Sequence, residues 1–96
     1  MPAYLIVIRE EPLQNPAEYE AYKSAVAQNP SDIPLKPVAM LGAVEGLEGA
    51  APDAVVMLEF ASVEDARAWY NSPAYQAALP HRLAAAPYRT FIFEGM

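Results

Sequence analysis

The stretch Ala54-Val55-Val56-Met57-Leu58-Glu59-Phe60-Ala61-Ser62-Val63-Glu64-Asp65 indicates the fold most directly. Its first seven residues are apolar except for Glu59 and rich in β-branched side chains, which is typical of a strand. Ser62 then supplies an N-cap side chain and Asp65 follows three residues later, so the spacing predicts a helix directly after the strand. The apolar face of that helix consists of Ala66, Trp69 and Tyr70.

The N-terminal half repeats this order. The apolar run Tyr4–Ile8 predicts a strand, and Asn15-Pro16-Ala17-Glu18 combines an N-cap, a first-turn proline and a glutamate that can bond back to the cap. The apolar stripe of the helix that follows consists of Tyr19, Tyr22 and Val26. Prolines 30, 34 and 37 predict an irregular, stiff connector after this helix.

The remaining segments complete two β-α-β halves. We expect a second strand over Val38–Glu45, a helix restarted by Ser72 and Pro73, and a fourth strand over Arg89–Glu94. Pro80 is expected to kink or interrupt the restarted helix. The order predicts one α+β domain over residues 1–96, a ferredoxin-like β-α-β-β-α-β fold with one four-stranded antiparallel sheet.

Strand alternation predicts apolar side chains on both faces of this sheet, although the helices can cover only one. We expect Leu5 and Val7 to lie with Val55 and Met57 on the face without helices. A second copy of the chain should cover that face, because burying each such side chain stabilises by about 1.5–3 kcal/mol. The sequence therefore predicts a homodimer formed through the sheet face.

The composition excludes several classes of protein. The chain has 96 residues, 54% of them hydrophobic, and its twelve Asp and Glu outnumber six scattered Lys and Arg, giving a formal net charge of −6. Nucleic acid is therefore not expected as a partner, and the lack of cysteine excludes disulfides and thiolate chemistry. The sequence has neither a secretory signal nor a membrane-spanning run, so we expect a cytoplasmic protein without membrane association.

Four segments resemble the domain-of-unknown-function 1330 family. They are Ala43–Gly49, Leu58–Ser62, Ala66–Gln76 and Phe93–Gly95, and the Trp-Tyr-x-Ser-x-x-Tyr-Gln pattern beginning at Trp69 is the most specific part. The resemblance implies a dimeric α/β-barrel, in which two ferredoxin-like sheets pack into one barrel, and it implies no established activity. Members usually carry Arg-Gly-Gly on the second strand where this chain has Met40-Leu41-Gly42, so an anion anchor at that arginine would be missing here.

Two residues are candidate catalytic groups. Glu59 interrupts an apolar strand, and the same-face neighbour we expect for it is Arg9, so it is interpreted either as half of a structural ion pair or as an acid or base in an apolar cleft. His81, the only histidine, is either an ordinary surface residue or a general base. A lone imidazole does not make a metal site, so we expect no metal.

Aromatic side chains concentrate on the predicted helices, where they either pack in the core or surround a planar ligand. The candidate ligand-binding residues are Arg82, Tyr22, Trp69, Tyr75 and Arg9. Two functions remain open. One is binding of a small apolar or aromatic metabolite without catalysis, and the other is a cofactor-independent monooxygenase, isomerase or lyase acting on a small aromatic or unsaturated compound. Neither hypothesis invokes a cofactor.

Overall fold

Four strands and three helices alternate along the chain in a computed structural model that describes all residues from Met1 to Met96. The elements are β1 (Ala3–Arg9), α1 (Pro16–Gln28), β2 (Lys36–Met40), β3 (Ala54–Phe60), α2 (Val63–Tyr70), α3 (Pro73–Ala85) and β4 (Tyr88–Glu94). The strands form one sheet in the order β2-β3-β1-β4, and every neighbouring pair is antiparallel. This topology confirms the predicted ferredoxin-like α+β fold.

Each helix begins at a residue whose side chain caps it. The Asn15 side-chain oxygen accepts the Glu18 N–H at 3.3 Å, and Ser62 Oγ accepts the Asp65 N–H at 3.1 Å. Ser72 Oγ accepts the Tyr75 N–H at 3.3 Å. These bonds satisfy backbone donors that have no partner inside the helix, so the three predicted helix starts are confirmed.

Pro80 does not interrupt α3, contrary to one of the two outcomes expected from the sequence. The helix is continuous from Pro73 to Ala85, with Pro80 inside it. Proline removes one hydrogen bond to the carbonyl four residues earlier, here that of Gln76. Both Gln76 and Pro80 are exposed, so water can bond the freed carbonyl, and the buried face of the helix keeps its packing.

The second strand is shorter and earlier than the predicted Val38–Glu45. It ends at Met40 because Leu41 takes a left-handed conformation with φ of 59°, which turns the chain away from β3. The strand also includes Pro37, which we expected in an irregular connector. Since β2 lies at the edge of the sheet, one side of its backbone needs no strand partner, and a proline is tolerated there.

The strand register corrects which residues share a face. Leu5 lies opposite Leu58, and Val7 lies opposite Val56. Directly opposed residues of an antiparallel pair point to the same side, so Leu5 and Val7 belong to the helix-covered face and not with Val55 and Met57 as expected. Under the helices the buried core consists of Leu5, Val7, Leu58, Phe60, Ala66, Trp69, Tyr75 and Leu79.

The opposite side of the sheet is nevertheless apolar, as alternation predicted. We call it the open sheet face. Its apolar residues are Tyr4, Ile6, Ile8, Val55, Met57, Phe91 and Phe93, and its charged residues are Lys36, Glu59 and Arg89. Phe91 is 43% exposed and Phe93 46% exposed, so an apolar surface meets solvent in the single chain.

None of the three helices has the length and hydropathy needed to cross a lipid bilayer.

Candidate functional site

A cavity of about 710 Å³ lies between the helix-covered face of the sheet and α1. Helix α1 packs mainly against α3, and none of its residues is buried. Its apolar stripe therefore faces a space that the sheet does not fill. We call this space the main cavity; its wall has 25 residues, 16 of them hydrophobic.

All seven helices and strands contribute residues to the wall of the main cavity. The strand β3 supplies alternate residues, Ala54, Val56 and Leu58, because side chains two apart point to the same side. Helix α2 contributes Trp69, whose ring centroid lies 4.2 Å from that of Tyr75 on α3. The two rings give one side of the cavity an aromatic surface.

A hydrogen-bonded chain of three side chains joins α3 to α1 at the cavity. Arg82 Nε donates to Tyr75 Oη at 3.2 Å, and Tyr75 Oη lies 3.0 Å from Tyr22 Oη. Because Tyr75 accepts the arginine proton, its own proton can be donated to Tyr22, which leaves the Tyr22 proton for a ligand. The arrangement therefore offers a phenol donor backed by a cation.

Arg82, a candidate from the sequence, is in an unusual state, because it is a buried cation without a carboxylate partner. The residue is 3% exposed, and no acidic side chain lies within ion-pair distance of it. Its guanidinium carbon lies 4.7 Å from the centroid of the Tyr88 ring, a cation–π contact. Its Nη1 atom is buried and has no hydrogen-bond partner. A buried charge left in this state is costly unless something else compensates it.

Arg9 is the contrasting cation of the same cavity. Its Nε donates to Asp53 Oδ2 at 2.7 Å, and its guanidinium lies over the Tyr19 ring. Burial lowers the pKa of Arg9, but Tyr88 and Asp53 raise it by more, so the net pKa is raised. The charge of Arg9 is thus already compensated inside the protein.

Tyr22 is held as a neutral phenol. Burial raises the pKa of its hydroxyl well above the ordinary value of 10.0, and the nearby Tyr75 raises it further, while the positive charge of Arg82 lowers it only in part. At neutral pH the Tyr22 hydroxyl can therefore act as a hydrogen-bond donor.

The structure brings the five candidate ligand-binding residues to one place. The main cavity is lined by Arg9, Tyr22, Trp69, Tyr75 and Arg82 together. Sequence reasoning missed Tyr88, whose ring lies against Arg82. The signal that could have found it is alternation, since Tyr88 stands four residues before Ile92, which packs against the core.

Neither candidate catalytic residue lines the main cavity. Glu59 lies on the other face of the sheet, opposite Tyr4 and Lys36, beside a shallower cavity of about 500 Å³. The pairing expected between Arg9 and Glu59 is wrong, because Arg9 is on the helix-covered face and bonds Asp53.

His81 connects two helices. Its Nδ1 lies 2.6 Å from Glu18 Oε2, so the ring ties α3 to α1 at a partly exposed position. The Glu18 carboxylate was expected to bond back to the Asn15 N–H, but that N–H donates to the Ala85 carbonyl at 3.1 Å. The contact with α3 therefore replaces the local capping bond.

The model of the family called Domain of unknown function (DUF1330) matches residues 2–96. The chain belongs to the DUF1330 family. No curated protein sequence matches it significantly. The position at which many members were expected to carry arginine, Met40, lies on the wall of the main cavity.

Several solved structures are similar to this chain in fold. A methylated protein from Rhodopseudomonas palustris has a TM-score of 0.71 and 21% identity, covering 99% of this chain and 81% of that chain. A dimeric ferredoxin-like protein of unknown function from Thermobifida fusca has a TM-score of 0.62 and 19% identity, covering 97% and 90%. SnoaB, a cofactor-independent oxygenase from Streptomyces nogalater, has a TM-score of 0.59 and 12% identity, covering 99% and 92%.

Proposed function

We propose that this DUF1330 protein binds a small apolar or aromatic compound in the main cavity. The observation that carries the proposal is the cavity itself. It has a volume of about 710 Å³, and 16 of the 25 residues in its wall are hydrophobic. This volume falls in the range of roughly 300–1,000 Å³ that is typical of small-molecule sites. An unfilled apolar space of this size lowers the number of van der Waals contacts that the side chains around it make. A bound ligand would supply those contacts.

The wall supports an aromatic ligand in particular. The Trp69 and Tyr75 rings and the edge-on contact of Tyr22 with Tyr75 supply flat, polarisable surfaces. Aromatic pairs are stabilised by about 0.5–1.5 kcal/mol beyond the area that they bury. The few polar groups of the wall can then fix the orientation of the ligand.

We also propose that the protein is a homodimer that pairs through the open sheet face. The support is the apolar character of that face, on which Phe91 and Phe93 are exposed in the single chain. Similar folds from Thermobifida fusca and Bacteroides fragilis are described as dimeric. Because the main cavity is on the other side of the sheet, the dimer leaves it open to a ligand.

A cavity-filling substitution tests the binding proposal. Val56 lines the main cavity, whereas Val38 is on the exposed edge strand outside it. We expect Val56→Phe to lower the affinity for 2-naphthamide at least about tenfold in isothermal titration calorimetry, since the added ring occupies ligand space. The control Val38→Phe should bind like the parent. If the parent binds no member of a panel of neutral and anionic bicyclic aromatics, the proposal is wrong.

The alternative function is catalysis without a cofactor on a small aromatic or unsaturated compound. The hydrogen-bonded chain of Arg82, Tyr75 and Tyr22 favours it, because a phenol donor next to a positive charge stabilises an oxyanion that develops on a substrate. The fold is also that of SnoaB, a cofactor-independent oxygenase, which is an analogy and not a mechanism. Glu59 and His81 lie outside the main cavity, so this version assigns them no part in the chemistry.

Liquid chromatography coupled to mass spectrometry separates the two functions, because the chromatography also resolves an isomer of unchanged mass. The tightest ligand from the calorimetric panel is incubated in air with the parent and with Tyr22→Phe. Turnover by the parent that falls about 100-fold or more in the variant supports catalysis. Recovery of the ligand unchanged from both proteins supports binding alone.

A further inference from the structure

We propose that the ligand of the main cavity is an organic monoanion, an aromatic carboxylate whose charged group is bound by Arg82. This inference rests on the proposed binding function and adds the chemical class of the ligand. It begins from Arg82 Nη1, a buried donor without a hydrogen-bond partner. In native proteins nearly all buried polar groups are satisfied, so an unpartnered donor on a residue that lines the cavity indicates a missing acceptor.

The distribution of charge around the cavity points the same way. The chain has twelve Asp and Glu against six Lys and Arg, yet no Asp or Glu lines the main cavity and three of the six cations do. Those cations are Arg9, Lys23 and Arg82. An acidic protein has thus placed positive charge alone on this wall, which favours an anion inside.

Only one of these three cations lacks an acidic partner. Arg9 is paired with Asp53 at 2.7 Å and Lys23 with Glu20 at 3.0 Å, whereas Arg82 is not paired with any carboxylate. The site can therefore compensate one negative charge. A carboxylate carries one, but a phosphate monoester carries about 1.5 to 2 at neutral pH and would leave charge unpaired in an apolar cavity.

The neighbouring hydroxyl completes the recognition. Tyr75 accepts from Arg82 and can donate to Tyr22, so the remaining Tyr22 proton is available to the second oxygen of a carboxylate. The raised pKa of Tyr22 keeps that proton on the oxygen at neutral pH. The aromatic body of the ligand would then lie against the ring surface of Trp69 and Tyr75.

Matched ligands test the charge without changing the protein. We expect 2-naphthoate to bind the parent roughly 10- to 100-fold more tightly than the neutral 2-naphthamide, as for a charge-assisted hydrogen bond. In ¹H–¹⁵N spectra the buried Arg82 Nε–H resonance should shift with the acid and not with the amide. Equal affinities would overturn the inference while leaving the proposed binding function intact, and failure of every member of the panel to bind would overturn both.

Variants then test the residue. Arg82→Met keeps an unbranched, flexible side chain but removes the guanidinium and its charge, and it should lower the affinity for 2-naphthoate to that for 2-naphthamide. The control Arg67→Met removes an exposed, unpaired cation outside the cavity and should preserve the ratio of the two affinities. If Arg82→Met does not fold, the resonance shift in the parent protein decides.

A third ligand distinguishes the anion. Under the proposal, 2-naphthyl phosphate binds more weakly than 2-naphthoate. Tighter binding of the phosphate, lost in Arg82→Met, would overturn the carboxylate assignment in favour of a phosphorylated ligand.

Discussion

The Tyr75 hydroxyl has two polar neighbours, Arg82 and Tyr22, and both depend on it. It accepts the Arg82 Nε proton at 3.2 Å and lies 3.0 Å from the Tyr22 oxygen. Removing this one oxygen would leave two partly or fully buried groups without their bond. A group in that state carries its full desolvation penalty.

We expect Tyr75→Phe to lower the free energy of unfolding by about 1–3 kcal/mol, because it leaves the Arg82 Nε–H and the Tyr22 oxygen without their hydrogen-bond partner. The matched control is Tyr70→Phe, since the Tyr70 ring touches Tyr75 but its hydroxyl makes no hydrogen bond. That variant should stay within about 0.5 kcal/mol of the parent. Urea unfolding followed by circular dichroism measures both. Equal losses in the two variants would mean that the hydrogen-bonded chain does not stabilise the fold.

The raised pKa of Tyr22 gives stability a pH dependence at the alkaline end. The unfolded chain ionises Tyr22 near its ordinary pKa of 10.0, while the folded protein keeps the phenol neutral to higher pH. Above about pH 10 the unfolded state binds fewer protons, so the free energy of unfolding falls as pH rises, by up to about 1.4 kcal/mol per pH unit from this group. Below that pH Tyr22 contributes no slope.

Urea unfolding at pH 8 to 11 compares the parent with Tyr22→Phe. We expect the parent to lose stability more steeply above pH 10 than the variant, which has no phenol to ionise. Parallel curves over the whole range would show that Tyr22 titrates alike in the folded and unfolded states.

The sequence predicted which residues line the main cavity, but it did not predict their ion pairs. The five candidate ligand-binding residues do line one cavity, because helical spacing and aromatic content are legible in a sequence. The lack of a carboxylate near Arg82 could not be predicted from the sequence, because it depends on contacts between α3 and elements that are distant along the chain. For the same reason the sequence paired Arg9 with Glu59, whereas the acidic partner is Asp53, in the turn that leads into β3.

At the scale of elements, the junction between α2 and α3 rests on one serine. Ser72 Oγ donates to the Trp69 carbonyl at 2.7 Å and accepts the Tyr75 N–H at 3.3 Å. It therefore closes the end of α2 and caps the start of α3 with the same atom. Ser72 thereby sets the distance between the backbones of Trp69 and Tyr75, whose rings form the aromatic surface of the main cavity.

We expect Ser72→Ala to lower the melting temperature and to reduce the free energy of unfolding by about 1–2 kcal/mol, the effect of a lost N-cap with a second bond. Ser24→Ala is the control, because Ser24 is exposed on α1 and alanine suits a helix. Differential scanning calorimetry provides the comparison. A stable Ser72→Ala protein would show that aromatic packing alone sets the junction.

Elements with strong local signals were predictable, and those set by tertiary contacts were not. The limits of β3 and the caps of all three helices follow from residues within a few positions of each other. The end of β2 was not predictable, because the left-handed Leu41 is a non-glycine residue in a conformation that glycine favours. The space under α1 was one of two alternatives that the sequence left open, because aromatic side chains on helices suit both core packing and the wall of a ligand site.

In the whole molecule, the two faces of the sheet differ in what covers them. One bears the helices and the main cavity, and the other is the open sheet face. Strand alternation predicted apolar side chains on both faces of the sheet. The register of β1 against β3 was needed to say which residues lie on which face, since a shift of one residue exchanges the faces.

Light scattering after size exclusion tests the pairing of open sheet faces. We expect the parent at micromolar concentration to have twice the chain mass of 10.5 kDa, and Phe91→Glu to have the mass of one chain. The charge would be buried without a partner in the dimer. Leu83→Glu, at a 56% exposed position on α3, should remain dimeric. A monomeric parent would contradict the proposed dimer.

Binding of the ligand is proposed to take place in the main cavity. Trp69 is the only tryptophan of the chain and lines the cavity, so the protein has a single indole N–H resonance, and it reports on this site. The most direct measurement is a ¹H–¹⁵N titration of the parent with 2-naphthoate. We expect the Trp69 indole signal and the backbone amides around Tyr22 and Tyr75 to shift together and to saturate at one equivalent per chain. A Trp69 signal that stays in place, whether or not amides of the open sheet face shift, would contradict the claim.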